Sequence, residues 1–466
     1  MIYRRLTIGL SLMFVCLGLD LNAQDMNEAL RLFDHGMYSR ARLYFDEIAA
    51  ESYTSDPEGY AVLCDVKQEV PGYRRSMNMF IAENPQSPLI SQIRYAHALN
   101  LFDAHDYVEA GKEFTLIAVK RLDKGQRTEY TFKKAYCAFE NAQKQEALAG
   151  FKEVEKMAAS DFTAPSRYAI GYINYDLKNF KEAISWFEKS EKDSRFADMS
   201  AYYIMECRFM LSDYEYVVAN GDKMYEKVPK ERKPQLARII SESWLVLGDA
   251  EKARKYMDFY AQEGGQPKGR ADWFYRGSVL YAVKDYKGAI DSYNMMGERN
   301  DSIGQIANYQ LGDCYIQTKN KVAALKSFEA ASKLSYDPKI EEDSYFNYAK
   351  LAFDLNNDSS VFYSYLDRYS DRVKGERIYS YIAVAALHNR DYAGAVDAYS
   401  HIDYLEGDMR ANFMKANYLR AEQLIARGSY RRAIACLKAA AYYSERGSRF
   451  NQLSRFWLAE SYYRND

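Results

Sequence analysis

Neither sign of charge predominates in this chain. It has 63 lysines and arginines against 65 aspartates and glutamates, a formal net charge of -2, and no block of like charges. A chain with this balance has no global field that would attract nucleic acid or an anionic membrane surface. We therefore expect neither of them as a partner.

Proline and cysteine are also scarce. The 9 prolines among 466 residues favour helices, because proline interrupts a helix interior. Of the six cysteines, Cys16 falls in an N-terminal apolar segment. The other five are odd in number and form no CxxC motif, so their spacing predicts no disulfide framework. We expect these five to be small buried apolar residues: Cys64, Cys137, Cys207, Cys314 and Cys436.

Catalytic and metal-binding motifs are absent from the sequence. The five histidines form no HExxH motif and no cluster with cysteine. No P-loop, G-x-G-x-x-G or G-x-S-x-G motif occurs. The acidic pair Glu341–Glu342 lies at a predicted helix start, where negative charge is favourable to the helix dipole. We expect no enzyme, no cofactor and no metal site within these residues.

Only one long apolar run occurs, and it lies at the N-terminus. Arg4 and Arg5 precede the run Leu6–Leu19, and Ala23 stands directly before Gln24. A charged start, a short apolar run and a small residue at the exit predict a secretory signal over residues 1–23 that is cleaved. No later stretch reaches membrane length, so we expect no membrane span after its removal.

Two features of this signal refine the prediction. Val15 stands before Cys16, where a lipoprotein signal has a small residue, so lipidation is not expected. The exit "NAQ" resembles signals that are common in Bacteroidetes. That resemblance implies export to the periplasm of a Gram-negative cell, or to the periplasmic side of its outer membrane.

A repeated pair of residues runs through the rest of the chain, which is 48% hydrophobic and can bury a core. Each copy is an alanine, called the anchor alanine below, followed four residues later by an aromatic residue. Successive copies lie 34 to 38 residues apart. The clear copies are Ala41/Phe45, Ala110/Phe114, Ala147/Phe151, Ala183/Phe187, Ala289/Tyr293, Ala324/Phe328 and Ala395/Tyr399. Weaker copies are Ser76/Phe80, Ala253/Met257, Val361/Tyr365, Ala433/Leu437 and a position around Val217.

A small residue precedes most anchors by twelve positions. In the three clearest pairs it is Gly171 before Ala183, Gly277 before Ala289, and Gly312 before Ala324. We predict that the small residue and the anchor alanine let two helices of a hairpin cross closely, and that the aromatic residues fill the space between consecutive hairpins. Stacked hairpins of this kind bury apolar faces that one hairpin alone leaves open.

The pattern resembles the tetratricopeptide repeat. The two copies that carry the resemblance best are Trp273, Gly277, Ala289 and Tyr293, and then Leu311, Gly312, Tyr315, Ala324, Phe328 and Ala331. The resemblance implies an all-α fold, an α-solenoid of about 12 helical hairpins plus half a repeat. It also implies a right-handed superhelix whose first helices line a concave groove, and a protein or peptide as the partner.

The sequence predicts two solenoid parts, residues 24–232 and 233–466. Degenerate repeats near 54–87 and 198–232 lack the small residue and the aromatic, and are candidate bends or joints. The last residues match only the first helix of a further repeat. We therefore expect the chain to be the N-terminal part of a longer protein.

Aromatic residues also recur on the predicted groove side of three first helices. Residues at i, i+4 and i+7 share one helix face, so eight rings should lie on one surface. They are Tyr95, Phe102, Phe132, Tyr136, Phe139, Tyr168, Tyr172 and Tyr175, and Asp103, Glu140 and Asp176 each follow the last ring of a set. The rings either bind a partner or only pack the first helices together. Basic residues that would clamp a C-terminal carboxylate are not expected on this face.

The favoured function is a non-enzymatic scaffold for protein–protein interaction in the bacterial envelope, with an envelope complex as a candidate partner. The alternative is the non-catalytic solenoid of a larger envelope enzyme or glycan-handling protein whose active domain follows residue 466. A solenoid that binds oligosaccharide in its groove is the third reading, and the sequence favours it least.

Overall fold

The computed structural model describes residues 25–297, 299–356 and 358–465. These residues form 25 α-helices and two 3-10 helices, and no strand occurs among them. The prediction of an all-α fold is thereby confirmed. The predicted signal peptide, residues 1–23, lies outside the described part of the chain.

The chain divides into two compact units, of which the first ends at Ser243 and the second begins at Trp244, a boundary that lies within the helix Lys233–Val246. In the first unit the helices follow one another as hairpins, each a first and a second helix joined by a short turn. The helices are α1 (residues 25–34), α2 (Tyr38–Glu51), α3 (Asp56–Lys67), α4 (Tyr73–Glu83), α5 (Ile90–Asp103), α6 (Tyr107–Thr115), α7 (Lys124–Glu140), α8 (Lys144–Lys156), α9 (Thr163–Asp176), α10 (Phe180–Ser190), α11 (Ala197–Met210), α12 (Tyr214–Lys227) and α13 (Lys233–Val246). The 3-10 helices are Val119–Arg121 and Lys230–Arg232.

The second unit continues the same order of helices. They are α14 (Ala250–Gln262), α15 (Arg270–Ala282), α16 (Tyr286–Met295), α17 (Ser302–Gln317), α18 (Lys321–Ser332), α19 (Pro338–Asn356), α20 (Ser360–Arg368), α21 (Arg372–His388), α22 (Tyr392–Ser400), α23 (Gly407–Ala426), α24 (Tyr430–Tyr443) and α25 (Arg449–Asn465). Within the described residues, α1 to α12 make six hairpins in the first unit, and α15 to α24 make five in the second. The fold is an α-solenoid of helical hairpins.

The core of each hairpin is built around the residues of the repeat. The anchor alanines and their aromatic partners are buried, as Ala183 with Phe187 and Ala324 with Phe328 show. The residues assigned to helix packing in the sequence analysis all have little or no exposed surface: Gly171, Ala183, Gly277, Ala289, Gly312 and Ala324. Burial of apolar surface at each step of the repeat is what holds consecutive helices together.

The repeated aromatic residue packs directly on the glycine of its own hairpin. A Cβ atom added at Gly277 would lie 2.4 Å from the ring of Tyr293. The corresponding distance is 2.8 Å from Gly171 to Phe187. Because no side chain fits in that space, the first helix at these positions must carry glycine for the ring to lie where it does.

The same aromatics also contact the next hairpin. The Tyr293 hydroxyl donates a hydrogen bond to the side chain of Gln310 on α17. The ring of Phe187 stacks on Tyr203 of α11, with centroids 5.2 Å apart. The sequence pattern predicts these rings only between consecutive hairpins, and the structure shows them inside their own hairpin as well.

The turns of the hairpins follow a second regular pattern. In ten turns between successive helices a residue with positive φ lies five positions before the anchor, and the next residue begins the cap of the following helix. Lys284, with φ of 63°, is followed by Asp285, whose side chain accepts a hydrogen bond of 3.1 Å from the backbone of Gly288. A left-handed residue reverses the chain after a helix, and the aspartate satisfies a free amide at the start of the next one.

The first degenerate repeat is a complete hairpin with a longer turn. Glu69 and Gly72 both have positive φ between α3 and α4. The extra turn residues shift the buried face of α4, so Met77 is buried where the sequence analysis placed Ser76, which is exposed. The expectation for Ser76 is therefore wrong, while Phe80 is buried as the pattern requires.

The second degenerate repeat exchanges the sizes of its two packing residues. Met205 stands at the small-residue position of α11 and is buried, and Gly221 stands at the aromatic position of α12. Ile240 of α13 fills the adjacent space, 3.0 Å from where a Cβ of Gly221 would be. A larger residue on α11 and a smaller one on α12 thus replace the usual pair, and a side chain of the next helix fills the adjacent space, a repacking of the kind that cores tolerate.

We predict that Gly277→Leu destabilises the protein by about 1 to 3 kcal/mol. The new side chain would overlap the Tyr293 ring and force α15 and α16 apart. Chemical denaturation measures the loss. Hydrogen exchange should show that the faster exchange stays near these two helices, because a solenoid transmits contacts only to neighbours.

Gly111 on α6 provides the control for this substitution. A Cβ atom there would meet its nearest neighbour, Cys137, at an ordinary 3.5 Å. Gly111→Leu should therefore lower the stability much less than Gly277→Leu. Equal effects at the two glycines would contradict the proposed hairpin packing.

Candidate partner-binding surface

Seven of the eight predicted rings keep part of their surface exposed. They lie on α5, α7 and α9, the first helices of three consecutive hairpins in the first unit. We call the following set the ring surface: Phe102, Phe132, Tyr136, Phe139, Tyr168, Tyr172 and Tyr175. Each ring is partly buried, so it can pack against its neighbours, and the part that stays exposed can contact a ligand.

Tyr95 does not belong to this surface. It is only 4% exposed, and its hydroxyl donates a 2.7 Å hydrogen bond to Glu129 of α7. The assignment of Tyr95 to an exposed binding face is corrected accordingly. The cause is its position near the middle of α5, where the neighbouring first helix covers the ring.

The rings form a continuous series across the three helices. Phe102 lies 5.5 Å from Tyr136, measured between ring centroids, and so links α5 to α7. Phe139 lies 6.0 Å from Tyr172 and links α7 to α9. Edge-to-face pairs at such distances add to the stability of the packing beyond the buried area. The ring surface therefore both packs the first helices and presents an aromatic surface.

Tyr203 of α11 extends the series, and sequence reasoning missed it. It is 5% exposed and its centroid lies 5.1 Å from that of Tyr175 and 5.6 Å from that of Tyr172. The repeat near 198–232 lacks the glycine signature, so the faces of α11 were not assigned. Tyr203 lies fourteen residues before Val217, and Tyr168 lies fifteen residues before its own anchor, Ala183. Counting back from Val217 would therefore have located Tyr203 next to the position that Tyr168 occupies.

One lysine, Lys133, lies on this face, where basic residues that would clamp a C-terminal carboxylate are not expected. The Lys133 ammonium is 4.8 Å from the centre of the Phe102 ring. It also pairs with Asp103 at 3.4 Å and with Glu129 at 3.2 Å. Since two carboxylates already neutralise it, Lys133 is not placed to clamp a carboxylate of a partner.

Burial and a neighbouring glutamate raise the pKa values of two tyrosines on the ring surface, Tyr136 and Tyr175. Burial, and then the hydrogen bond and negative charge of Glu140, raise the pKa of Tyr136 to about 12. Burial is also the main cause that raises the pKa of Tyr175, with Glu206 as the charged neighbour. These phenols stay protonated at physiological pH and act as hydrogen-bond donors and apolar contacts.

The cysteines and the acidic residues in the rest of the described chain are the other candidates for chemistry. Within the described ranges no three histidine, cysteine, aspartate or glutamate residues are grouped to hold a metal ion. Burial raises the thiol pKa to about 12 at the four buried cysteines, Cys64, Cys137, Cys207 and Cys314, and Cys436 is partly exposed. A thiol of such pKa is a packing group, not a nucleophile, at neutral pH.

Two hollows lie elsewhere in the first unit, on α6, α7 and α8. Their volumes are about 440 and 370 Å³, and both are lined by Lys134 and Glu146. No residue of the ring surface lines either of them. Among the described helices, none is long and apolar enough to cross a membrane.

Comparison with known proteins gives structural similarities only. No protein-family model matches the chain, and no curated protein matches it. The chain is similar to the C-terminal part of a TPR repeat-containing protein from Cytophaga hutchinsonii, with 12% identity and a TM-score of 0.34 over 56% of this chain and 97% of that one. It is also similar to the APC/C hetero-tetramer Cut9–Hcn1, with 11% identity and a TM-score of 0.25 over 93% of this chain and 95% of that one. The fold assignment rests on the helical hairpins described above.

We predict that the protein loses stability as the pH rises from about 10 to about 12. Tyrosines in the unfolded chain ionise near pH 10, whereas the folded chain keeps the proton of residues such as Tyr136. The folded state then binds more protons than the unfolded state, so the free energy of unfolding falls with pH. Melting temperatures across this range measure the effect. Tyr136→Phe should make the fall shallower, and a melting temperature that rose with pH would contradict the prediction.

Proposed function

We propose that the protein is a non-enzymatic scaffold of the tetratricopeptide type that binds a protein or peptide partner. The observation that carries this proposal is the ring surface, a series of partly exposed rings over three consecutive first helices. Aromatic residues are enriched at binding hot spots because they bury a large area with few rotatable bonds. An extended segment or a helix of a partner is long enough to follow the series.

The ring surface is rimmed by acidic groups. Asp103, Glu140 and Asp176 are exposed, and each follows the last ring of its helix. An apolar centre with a polar rim is the usual anatomy of a protein interface. It differs from a catalytic site, which needs an activated nucleophile or a general base next to a reactive position.

We predict that replacing Tyr172 and Tyr175 together by alanine abolishes capture of the partner. Hot-spot rings typically contribute about 2 kcal/mol or more each, so the double change lowers affinity by about three orders of magnitude. Both rings are partly exposed, so helix content should change little. The measurement is affinity purification of the mature protein from envelope extracts, with quantitative identification of captured proteins and circular dichroism of each variant.

A matched control replaces two exposed tyrosines outside the ring surface. Tyr404 and Tyr442 are both strongly exposed in the second unit. Their change to alanine removes the same ring area and should leave capture intact. Undiminished capture by the folded Tyr172/Tyr175 variant would remove the ring surface from consideration as the binding site.

We also propose that the protein is exported to the periplasm of a Gram-negative cell, where it acts in an envelope assembly. The support is the charged start, the apolar run and Ala23 at the exit of the N-terminal segment. Expressed with this segment, the protein should be recovered from the periplasmic fraction with Gln24 as its first residue. Ala23→Leu should leave the precursor uncleaved, and a cytoplasmic full-length product of the unchanged sequence would overturn the proposal.

A further inference from the structure

At one end of the ring surface, a positively charged side chain of the protein itself lies over a ring. Lys133 lies over the Phe102 ring, and Asp103 and Glu129 are its two anionic partners. Attraction between an ammonium group and a ring, reinforced by carboxylates, is stronger where water is partly excluded. The side chain of Lys133 is 14% exposed, so this arrangement is largely withdrawn from solvent.

At the other end of the surface a ring and a carboxylate are also present, but no lysine stands at the position equivalent to Lys133. Lys133 lies fourteen residues before its anchor alanine, and the equivalent positions on α9 and α11 are Ala169 and Tyr203. Tyr175 stands at the position of Phe102, and Glu206 is the nearby carboxylate. At this level of the solenoid no lysine side chain occupies the place that Lys133 takes.

Glu206 is a buried acid in an aromatic setting. It stands at the position that Tyr136 and Tyr172 occupy on the preceding first helices, and it is only 8% exposed. The Tyr202 hydroxyl donates a 2.6 Å hydrogen bond to it. Within the described residues Glu206 has no ion-pair partner at salt-bridge distance.

Arg232 is the cation that acts on this acid from a greater distance. Its guanidinium lies 5.5 Å from the centre of the Tyr202 ring, and its charge interacts favourably with Glu206. Arg232 belongs to an exposed 3-10 helix, Lys230–Arg232, so its side chain stays in contact with solvent. A buried carboxylate that lacks a close ion pair gains free energy when a cation reaches it.

We propose that Glu206, with the exposed faces of Tyr172 and Tyr175, receives a positively charged side chain, preferably arginine, from the protein partner. This assignment rests on the proposed scaffold function and names the chemistry of its partner. A planar guanidinium stacks on tyrosine rings while it donates hydrogen bonds to a carboxylate. Asp176, one residue after Tyr175, is already paired with the Lys144 ammonium, so the assignment rests on Glu206 and not on Asp176.

The test uses three labelled peptides of equal length in which arginine, glutamine or glutamate alternates with glycine and serine. Fluorescence anisotropy with the mature chain should show binding of the arginine peptide with a Kd below about 1 mM, and none of the other two. Raising the salt concentration should weaken this binding, because part of the attraction is between charges. Equal binding of the three peptides would overturn the proposal.

Two variants assign the binding to this acid. Glu206→Gln keeps an acceptor for the Tyr202 hydroxyl and removes the charge, so affinity for the arginine peptide should fall at least about tenfold. Glu226→Gln, at an exposed position of α12, is the matched control and should change nothing. An unchanged affinity in the folded Glu206→Gln protein would refute the assignment.

A third variant keeps the test decisive if Glu206→Gln unfolds. Arg232→Gln removes the competing cation from an exposed site, so the arginine peptide should bind more tightly. A purely structural role of Glu206 predicts no such gain, and its absence would count against the proposal. Partner capture that depends on Tyr172 and Tyr175 but not on charge would sink this assignment and leave the scaffold function standing. Capture that is independent of the rings would sink both.

Discussion

The structure depends on one repeated contact, in which an aromatic side chain of the second helix lies against a small residue of the first. At Gly277 the space left for a side chain is already filled by Tyr293. The same ring reaches Gln310 in the following hairpin, so a single residue closes one hairpin and joins it to the next. Each hairpin on its own leaves an apolar face open, and this contact is the step by which stacking buries it.

The ring surface lies on the faces of the first helices that point away from their own second helices. Once the small residues of α5, α7 and α9 face their own second helices, the rings at the remaining positions face away from them and toward one another. Phe102, Tyr136 and Tyr172 are therefore both part of the packing and part of an exposed surface. The same ring can do both because every first helix of a solenoid has neighbouring helices on two sides and solvent on a third.

Charge distinguishes the two ends of the ring surface. Near Phe102 the cation is a residue of the protein itself, because Lys133 lies over the ring and pairs with Asp103. Near Tyr175 the protein supplies a buried acid, Glu206, and leaves the close cationic position open within the part of the chain that the structure describes. This difference between equivalent positions makes the two ends of the ring surface electrostatically unlike.

The sequence by itself determined the architecture, because the repeat is local: Gly277, Ala289 and Tyr293 lie within one hairpin, and their spacing is set by helix geometry. It also determined which helix faces carry the rings. Only the tertiary structure decided how deep each ring lies and what surrounds it. Tyr95 is covered by α7, and Glu206 lies among tyrosines from α9 and α11, because these contacts join residues that are distant in sequence. Periodicity identifies the face of a helix, whereas burial and charge environment depend on what the neighbouring hairpins place against that face.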